Sequence, residues 1–157
     1  MKDCDINGQV VVGEGAKLLL QKCTVRNCLS CAVGVHGTAD IQNCIIEDGP
    51  GNGILVKPTG EITVTGTTMR RCKTGLFVLG KATIGKATIR SCSITGCTQS
   101  GAFAWKTESG PGEVTAEEGA DLVCSGNNTS DHEWHGDFVA AEGGTIKGVA
   151  EEKIKSI

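Results

Sequence analysis

The sequence predicts an all-β fold, a parallel β-helix (solenoid) of about six rungs, and three observations support it. A short segment of the form small-x-apolar occurs six times, with copies that begin at residues 4, 23, 44, 67, 92 and 120. Intervals of about 20 to 30 residues are typical of solenoids. Apolar residues alternate with period two in these segments, as they do in strands, and no helical periodicity is sustained before the last few residues.

The first strand of each rung is predicted to place one apolar residue and one small residue in the interior. A single rung cannot bury its inner face alone, so equivalent residues of successive rungs should stack in columns. The predicted apolar column consists of Ile6, Val25, Ile46, Met69, Ile94 and Leu122. The predicted ladder of small residues consists of Cys4, Cys23, Cys44, Thr67 and Cys92. A reduced Cys acts there as a small apolar side chain.

The second and third strands complete each rung, with turns rich in Gly, Asn, Asp and Thr between them. The second strand follows a glycine, at Gly53, Gly75, Gly101 and, as a weaker copy, Gly136. The third strand ends on an apolar residue three positions before the next rung. This spacing predicts a further interior column of Leu20, Ile41, Val64 and Ile89.

The strand-turn-strand units at residues 43–56 and 71–78 resemble those of the right-handed parallel β-helix in the pectin-lyase-like superfamily. The resemblance covers about residues 4 to 146. It implies a right-handed solenoid, the hand that parallel connections favour. Lyases, epimerases, phage tailspikes and intracellular interaction modules share this fold, so the resemblance implies no single function.

The chain is expected to consist of a β-helix over residues 1–148 and a cap or tail over residues 149–157. In the tail, Val149, Ile154 and Ile157 have the spacing of a short amphipathic helix. Such a helix is too short to be stable alone and would have to pack on the last rung.

Composition and cysteine content argue against several classes of partner and cofactor. A net charge of −3 argues against nucleic acid as a partner, and no apolar run reaches the roughly 20 residues of a membrane span. Nine cysteines, an odd number, and a start without the apolar segment of a signal peptide favour reduced thiols and a cytoplasmic location. Cys28 and Cys31 form a CxxC without a second ligand pair, so no metal or cofactor is predicted.

Two groups of residues would serve an enzyme of this fold. His132 and His135 lie in the polar segment 131–137, where they would act as an acid-base pair or, with Asp137, as metal ligands. Arg70 and Arg71 are a basic pair near Glu47, as a polysaccharide lyase would need. If neither group is functional, the segment 131–137 is a polar loop and the two arginines belong to a solvated charged face. No acidic trio lies on adjacent rungs to bind calcium.

The second strand carries a candidate binding surface. If Ile54 and Val56 face the interior, a column of apolar residues faces outward, with two tryptophans beside it. The column is Leu55, Phe77, Phe103 and Phe138, and the tryptophans are Trp105 and Trp134. Exposed apolar patches usually mark interfaces. In the opposite register these aromatic residues are core and residues 54, 56, 76 and 78 face out.

The sequence therefore predicts a non-enzymatic interaction or scaffold module that binds a protein partner or associates with itself through an outer sheet face. The alternative is a carbohydrate-active protein, such as a small polysaccharide lyase, an epimerase or a glycan-binding fragment. Polysaccharide is the substrate or partner in that alternative.

Overall fold

The structure, a computed structural model, describes residues 1–27, 29–90, 100–125 and 136–157, and gives only the backbone for 82–90, 100–103, 116–125 and 136–137. Most of these residues are in strands, as the repeat predicts. Cys28, Cys92 and Ile94 lie outside the described residues. No helix in the described ranges is long and apolar enough to cross a membrane.

The strands are short, apart from three that continue around a corner of the coil. The first eight strands are β1 (Asp5–Asn7), β2 (Val10–Val12), β3 (Lys17–Gln21), β4 (Thr24–Arg26), β5 (Cys31–Val35), β6 (Thr38–Gln42), β7 (Ile45–Gly49) and β8 (Asn52–Val56). The others are β9 (Glu61–Cys72), β10 (Thr74–Val78), β11 (Lys81–Arg90), β12 (Ser100–Trp105), β13 (Glu113–Ser125), β14 (Gly136–Ala141), β15 (Thr145–Lys147) and β16 (Ile154–Ser156).

All strand pairs in the two sheets are parallel and join successive coils, which confirms the predicted parallel β-helix. One sheet has seven strands in the order β16-β14-β12-β10-β8-β5-β2, and these are the second strands of the rungs. The other sheet has nine strands and combines the first and third strands, because β9, β11 and β13 pair along both. With seven strands in one sheet, the rung count differs slightly from the predicted six.

The interior is built from stacked aliphatic columns. In the first strands Val25, Ile46 and Met69 are in register and fully buried. The columns of the third and second strands are equally buried: Leu20, Ile41 and Val64; Val33, Ile54 and Leu76; Val35, Val56 and Val78. Burying each such side chain contributes roughly 1.5–3 kcal/mol, so the columns account for most of the favourable energy.

The predicted register is wrong beyond Met69, where the sequence Lys-Ala-Thr-Ile occurs at 81–84 and again at 86–89. Ile84, and not Ile89, continues the column above Val64, and Ile89 lies above Met69. Ala87 takes the place above Thr67 that was predicted for Cys92. Both tetrapeptides satisfy the three-residue spacing to the next rung, so only pairing with β9 distinguishes them.

The same shift moves the next rung. Leu122 pairs with Ala87 and therefore takes a position that the prediction kept for a small residue, and Cys124 pairs with Ile89 in the apolar column predicted for Leu122. Phe138 is also displaced, by one residue. It pairs with Ala102, lies in the inward column and is 4% exposed, so its predicted outward position is wrong. A one-residue slip moves a side chain to the opposite face of a strand, and here it brings a large ring above a small alanine.

The predicted C-terminal helix is also wrong. Residues Glu151–Lys153 form one 3₁₀ turn, and Ile154–Ser156 then pair with β14 as the last strand of the seven-stranded sheet. Ile154 lies above Phe138 and packs on the core. An edge strand offers unpaired backbone groups along its whole length, so strand pairing satisfies more of them than a nine-residue helix would.

A hydrogen-bonded ladder of small residues lines the corner between the third and first strands. Each side chain donates to the carbonyl two residues earlier: Cys23 to Gln21 at 3.2 Å, Cys44 to Gln42 at 3.3 Å, and Thr67 to Thr65 at 3.2 Å. The amide of Cys23 donates to Sγ of Cys44 at 3.5 Å, and that of Cys44 to Oγ1 of Thr67 at 3.3 Å. Burial raises the pKa of the Cys44 thiol, which keeps it protonated as a donor.

A column of glycines lies where the second strand turns into the third, and the sequence analysis did not identify it. The glycines each precede a third strand: Gly37, Gly60, Gly80, Gly112 and Gly144. A Cβ at any of them would lie 2.2–2.4 Å from a backbone carbonyl oxygen, for example 2.3 Å from that of Gly60 at Gly80. The coil can close at this corner only without a side chain.

We expect Gly80→Ala to lower the free energy of unfolding by about 1–3 kcal/mol, the usual cost of overpacking, because the obstructing atoms are backbone. Chemical denaturation measures the difference. Gly13→Ala is the control, since a Cβ there meets nothing within 4 Å, and its change should stay within about 0.5 kcal/mol. An equal loss of stability in the two variants would contradict the close approach of the backbone at Gly80.

The ladder makes a second prediction at Thr67. Thr67→Cys keeps a donor and an acceptor of the kind used by Cys23 and Cys44, so stability should change little. Thr67→Val has nearly the same shape but leaves the buried amide of Cys44 without its acceptor, which costs about 1–3 kcal/mol. Denaturation curves of both variants provide the test, and a valine variant as stable as the cysteine variant contradicts the ladder's role.

Candidate functional site

The outer face of the seven-stranded sheet carries apolar side chains in register on successive strands. Val11, Gly34, Leu55 and Phe77 occupy the same position on β2, β5, β8 and β10. Their inward neighbours Ile54, Val56, Leu76 and Val78 are fully buried, which decides the register that the sequence left open. Val11 is 59% exposed, and Leu55 and Phe77 are half-buried. The predicted outward orientation of Leu55 and Phe77 is confirmed.

Trp105 lies beside this column, at the end of β12. Its ring and that of Phe77 form an edge-to-face pair with centroids 6.4 Å apart and planes at 60°. Trp105 is 40% exposed, and Leu79, the residue after β10, is half-buried in the equivalent place one rung earlier. We call Leu55, Phe77, Leu79 and Trp105 the aromatic face. Edge-to-face pairing holds the two rings in a fixed arrangement.

The aromatic face ends where further apolar residues are covered. Val139 and Ala141 lie on the same outer side of the sheet, in register with Phe103 and Trp105. They are 0% and 3% exposed and form a small cluster, separate from the interior, against which Phe77 packs. The accessible apolar surface is therefore the part from Val11 to Trp105.

The other predicted binding residues have different outcomes. The backbone of Phe103 is in register between Phe77 and Val139, and its side chain is outside the described part of the structure. Trp134 lies outside the described residues. Phe138 is interior, as described above. The sequence analysis missed Val11 and Leu79, although both follow from extending the register of Leu55 and Trp105 along the sheet.

Arg70 and Arg71, predicted as alternative catalytic residues, belong to a charged cluster on the first strands. At its centre the Glu47 carboxylate is 5% exposed. Nη2 of Arg70 lies 2.6 Å from Oε2 of Glu47, and Nη2 of Arg71 lies 3.0 Å from the same oxygen. Arg26 approaches the other oxygen at 3.8 Å and also pairs with Asp5 at 3.2 Å. The carboxylates of Glu47 and Asp5 thus face three guanidinium groups.

Asp48 and Arg71 complete this charged cluster from a bend in the chain. Both have left-handed backbone, with φ of 57° and 53°, directly after the paired residues Glu47 and Arg70. Arg71 donates to both carboxylate oxygens of Asp48, from Nη2 at 2.9 Å and from Nε. These hydrogen bonds lower the pKa of Asp48 and raise that of Arg71. The ion pair therefore offsets the energetic cost of an uncommon backbone conformation.

This arrangement determines the chemistry available at the cluster. The carboxylates beside Arg71 raise its pKa, so this arginine is held as a cation. A general base needs a pKa near the working pH, which the neighbours of Arg71 oppose. Glu47 is buried and paired, and removing one partner of a buried ion pair typically costs about 3–5 kcal/mol. The geometry is suited to fixing the register of β4, β7 and β9.

His132 and His135, predicted as alternative catalytic residues, lie outside the described residues, and the side chain of Asp137 is likewise not described. Within the described ranges, no three His, Cys, Asp or Glu side chains are grouped so that they could hold a metal ion. Cys4, Cys23 and Cys44 of the described part are free thiols.

Comparison with known proteins supports the coil architecture and its hand. A family model described as a right-handed β-helix region matches residues 1–84 and, in an overlapping second match, residues 31–147. No curated protein and no solved structure matches the chain.

The lowered pKa of Asp48 predicts a pH-dependent contribution to stability. Its ordinary value is 3.8, so the stabilisation is fully present above about pH 5 and is lost as the pH falls through the lower folded value. Asp48→Asn should be less stable than the parent near pH 6 by under about 1 kcal/mol, because the pair is partly exposed. The difference should shrink towards pH 3 in urea unfolding at low salt.

Asp3→Asn is the control for this measurement, because Asp3 also has left-handed backbone, with φ of 51°, and has no ion pair among the described residues. Its stability difference should be small at both pH values. A gap for Asp48→Asn that is constant or widens as the pH falls contradicts the assigned ion pair.

Proposed function

We propose that this chain, which belongs to the right-handed β-helix family, is a non-enzymatic interaction module that binds a protein partner through the aromatic face. The observation that carries the proposal is the partial exposure of Leu55 and Phe77, which are in register, and of Trp105 beside them, on the outside of the seven-stranded sheet. Aromatic side chains that are partly exposed and rigidly placed provide much of the binding energy at protein interfaces.

The length and rigidity of this apolar surface favour a protein partner. Three successive strand spacings separate Val11 from Phe77, a length of about 14 Å at the usual strand separation. Exposed apolar patches of this kind are uncommon on isolated domains unless they serve an interface. A parallel β-sheet also forms a rigid platform, so little conformational entropy is lost when a partner packs on it.

The alternative of a polysaccharide lyase or epimerase has less support in the described residues. Its basic candidates, Arg70 and Arg71, are bound to Glu47 and Asp48, so their guanidinium groups are already engaged within the chain. The acidic groups nearby are also engaged with arginines, so they are poorly placed to bind calcium or a substrate. Its histidine candidates lie outside the described residues.

A cytoplasmic location is part of the proposal. Cys23 and Cys44 stack one coil apart, both buried and both free, and their hydrogen bonds use the thiol form. Reduced thiols of this kind are typical of a reducing compartment.

We expect Phe77→Ser and, separately, Trp105→Ser to weaken binding to a directly interacting protein at least tenfold, about 1.4 kcal/mol. A partner captured from the source cells is purified and its dissociation constant measured by calorimetry, and sedimentation of the chain alone tests self-association. The control is Leu19→Ser, which removes a 47% exposed leucine from the other sheet and should leave binding unchanged.

Two results would contradict the proposed function. One is a directly binding partner whose affinity is insensitive to both aromatic substitutions while the variants remain folded. The other is unsaturated-sugar absorbance released by the chain from a uronic-acid polymer and abolished by Arg70→Ala, provided that denaturation shows this variant to be folded.

A further inference from the structure

We propose that Cys4 and Cys23 form an oxidation site, at which hydrogen peroxide produces a reversible disulfide between the first two coils. Both thiols are free in the structure, and the site is independent of the aromatic face. Disulfides that form in a reducing compartment are usually transient and often serve redox sensing. The proposal rests on the register of the two cysteines and on the different exposure of their side chains.

The two cysteines occupy equivalent positions on neighbouring strands. The amide of Thr24 donates to the carbonyl of Cys4 at 2.9 Å, which places Cys4 beside Cys23. Neighbouring strands lie about 4.8 Å apart, and a disulfide usually spans roughly 4.4–6.8 Å between Cα atoms. The thiols of Cys4 and Cys23 each donate to the carbonyl two residues earlier at 3.2 Å, so the side chains have the same orientation. The spacing of the two Cα atoms therefore suits a disulfide.

Cys4 is the thiol of this pair that an oxidant can reach, and it lies on a strand that can move. Its side chain is half-buried, whereas Cys23 is 1% exposed. A disulfide draws the two Cβ atoms to about 3.8 Å, closer than the strand spacing, so one strand must shift. Because β1 is the outer strand of its sheet and pairs with β4 alone, it can shift without breaking hydrogen bonds on a second side.

Cys44 is a poorer partner for Cys23 than Cys4 is. Burial raises the pKa of the Cys44 thiol, and the thiolate is the nucleophile in disulfide formation. Its Sγ also accepts from the amide of Cys23 at 3.5 Å, a hydrogen bond that a new disulfide would disturb. Cys44 precedes β7, which is paired with β4 on one side and β9 on the other and is therefore harder to shift.

The oxidation consumes one peroxide molecule for each disulfide. The Cys4 thiolate attacks a peroxide oxygen, the O–O bond breaks, and the first water leaves as Cys4 becomes a sulfenic acid. Sγ of Cys23 then attacks Sγ of Cys4, the S–O bond breaks, and the leaving hydroxide takes the Cys23 proton to give the second water. The two thiols lose two electrons and two protons in total. Glutathione reverses the step by thiol–disulfide exchange.

The disulfide fixes the first coil, whose two strands have the fewest partners. β1 and β2 have three residues each, and each is paired on one side only. Segments of this kind open locally more easily than the core of a domain. A cross-link from Cys4 to Cys23 restricts such opening, so oxidation is expected to tighten this end of the coil and to leave the fold intact.

The test treats the reduced full chain with hydrogen peroxide, alkylates the remaining thiols and digests the chain with trypsin without reductant. Cleavage after lysine and arginine places Cys4 in residues 3–17 and Cys23 in residues 23–26, each as the single cysteine of its peptide. Mass spectrometry should find these peptides linked in chains that run as monomers on a denaturing, non-reducing gel. The amide of Thr24 should exchange with deuterium about tenfold more slowly in the oxidised chain.

Two threonine variants are matched controls, since Thr67 already occupies the ladder with a hydroxyl in place of a thiol. Cys44→Thr should form the same linked peptides with a yield within twofold of that of the parent. Cys23→Thr should instead leave Cys4 as a sulfenic acid that dimedone traps.

Four results would overturn the proposal, and none of them bears on the aromatic face. The first is a link from Cys23 to Cys44, and the second is a parent chain in which Cys4 is oxidised without pairing. The third is unchanged exchange at Thr24 after the link has formed. The fourth is an equal yield of the Cys4–Cys23 link in urea that unfolds the chain, because the native register would then play no part in the pairing.

Discussion

Stacking of equivalent aliphatic residues in consecutive coils is the constraint on which the rest of this molecule depends. No coil has an interior of its own, and each buries Val, Ile, Leu or Met only against its neighbours above and below. The columns through Ile41, Ile46 and Ile54 are fully buried. The corners and the outer faces repeat at the spacing that these columns impose.

The corners allow the columns to stay in register. At one corner, glycines such as Gly60 and Gly80 let successive coils approach within the distance that a Cβ would occupy. At another corner, Cys23, Cys44 and Thr67 satisfy backbone amides that would otherwise be buried without a partner. Small size is thus required for a steric reason at the first corner and a hydrogen-bonding reason at the second.

The two functional candidates occupy different sides of the coil and have opposite electrostatic character. Around Glu47, charges of both signs are matched within the chain, so little net charge is left for a ligand. Around Phe77 and Trp105, apolar groups are partly exposed on the outer face of the sheet. A partly exposed apolar surface is the better candidate for a protein partner.

Much of the coil was predictable because period-two alternation and a recurring small-x-apolar segment are local patterns. They identified Val25, Ile46 and Met69 as one column, and Leu20, Ile41 and Val64 as another. The duplicated Lys-Ala-Thr-Ile tetrapeptide could not be placed in this way, since both copies satisfy the same rule. Pairing with Met69 and Val64 selects between them.

The sequence by itself determined that the chain forms parallel coils and which residues of the early rungs are apolar and inward, because these properties depend on residue type and alternation. Only the tertiary structure decided the position of Phe138, the strand at Ile154 and the ion pairs of Glu47. Each depends on which residue of another coil lies opposite, a long-range relation that local patterns do not encode. The outward orientation of Leu55 and Phe77 needed both sources. Alternation in the sequence allowed either an inward or an outward register, and the burial of Ile54 and Leu76 in the structure selected the outward one.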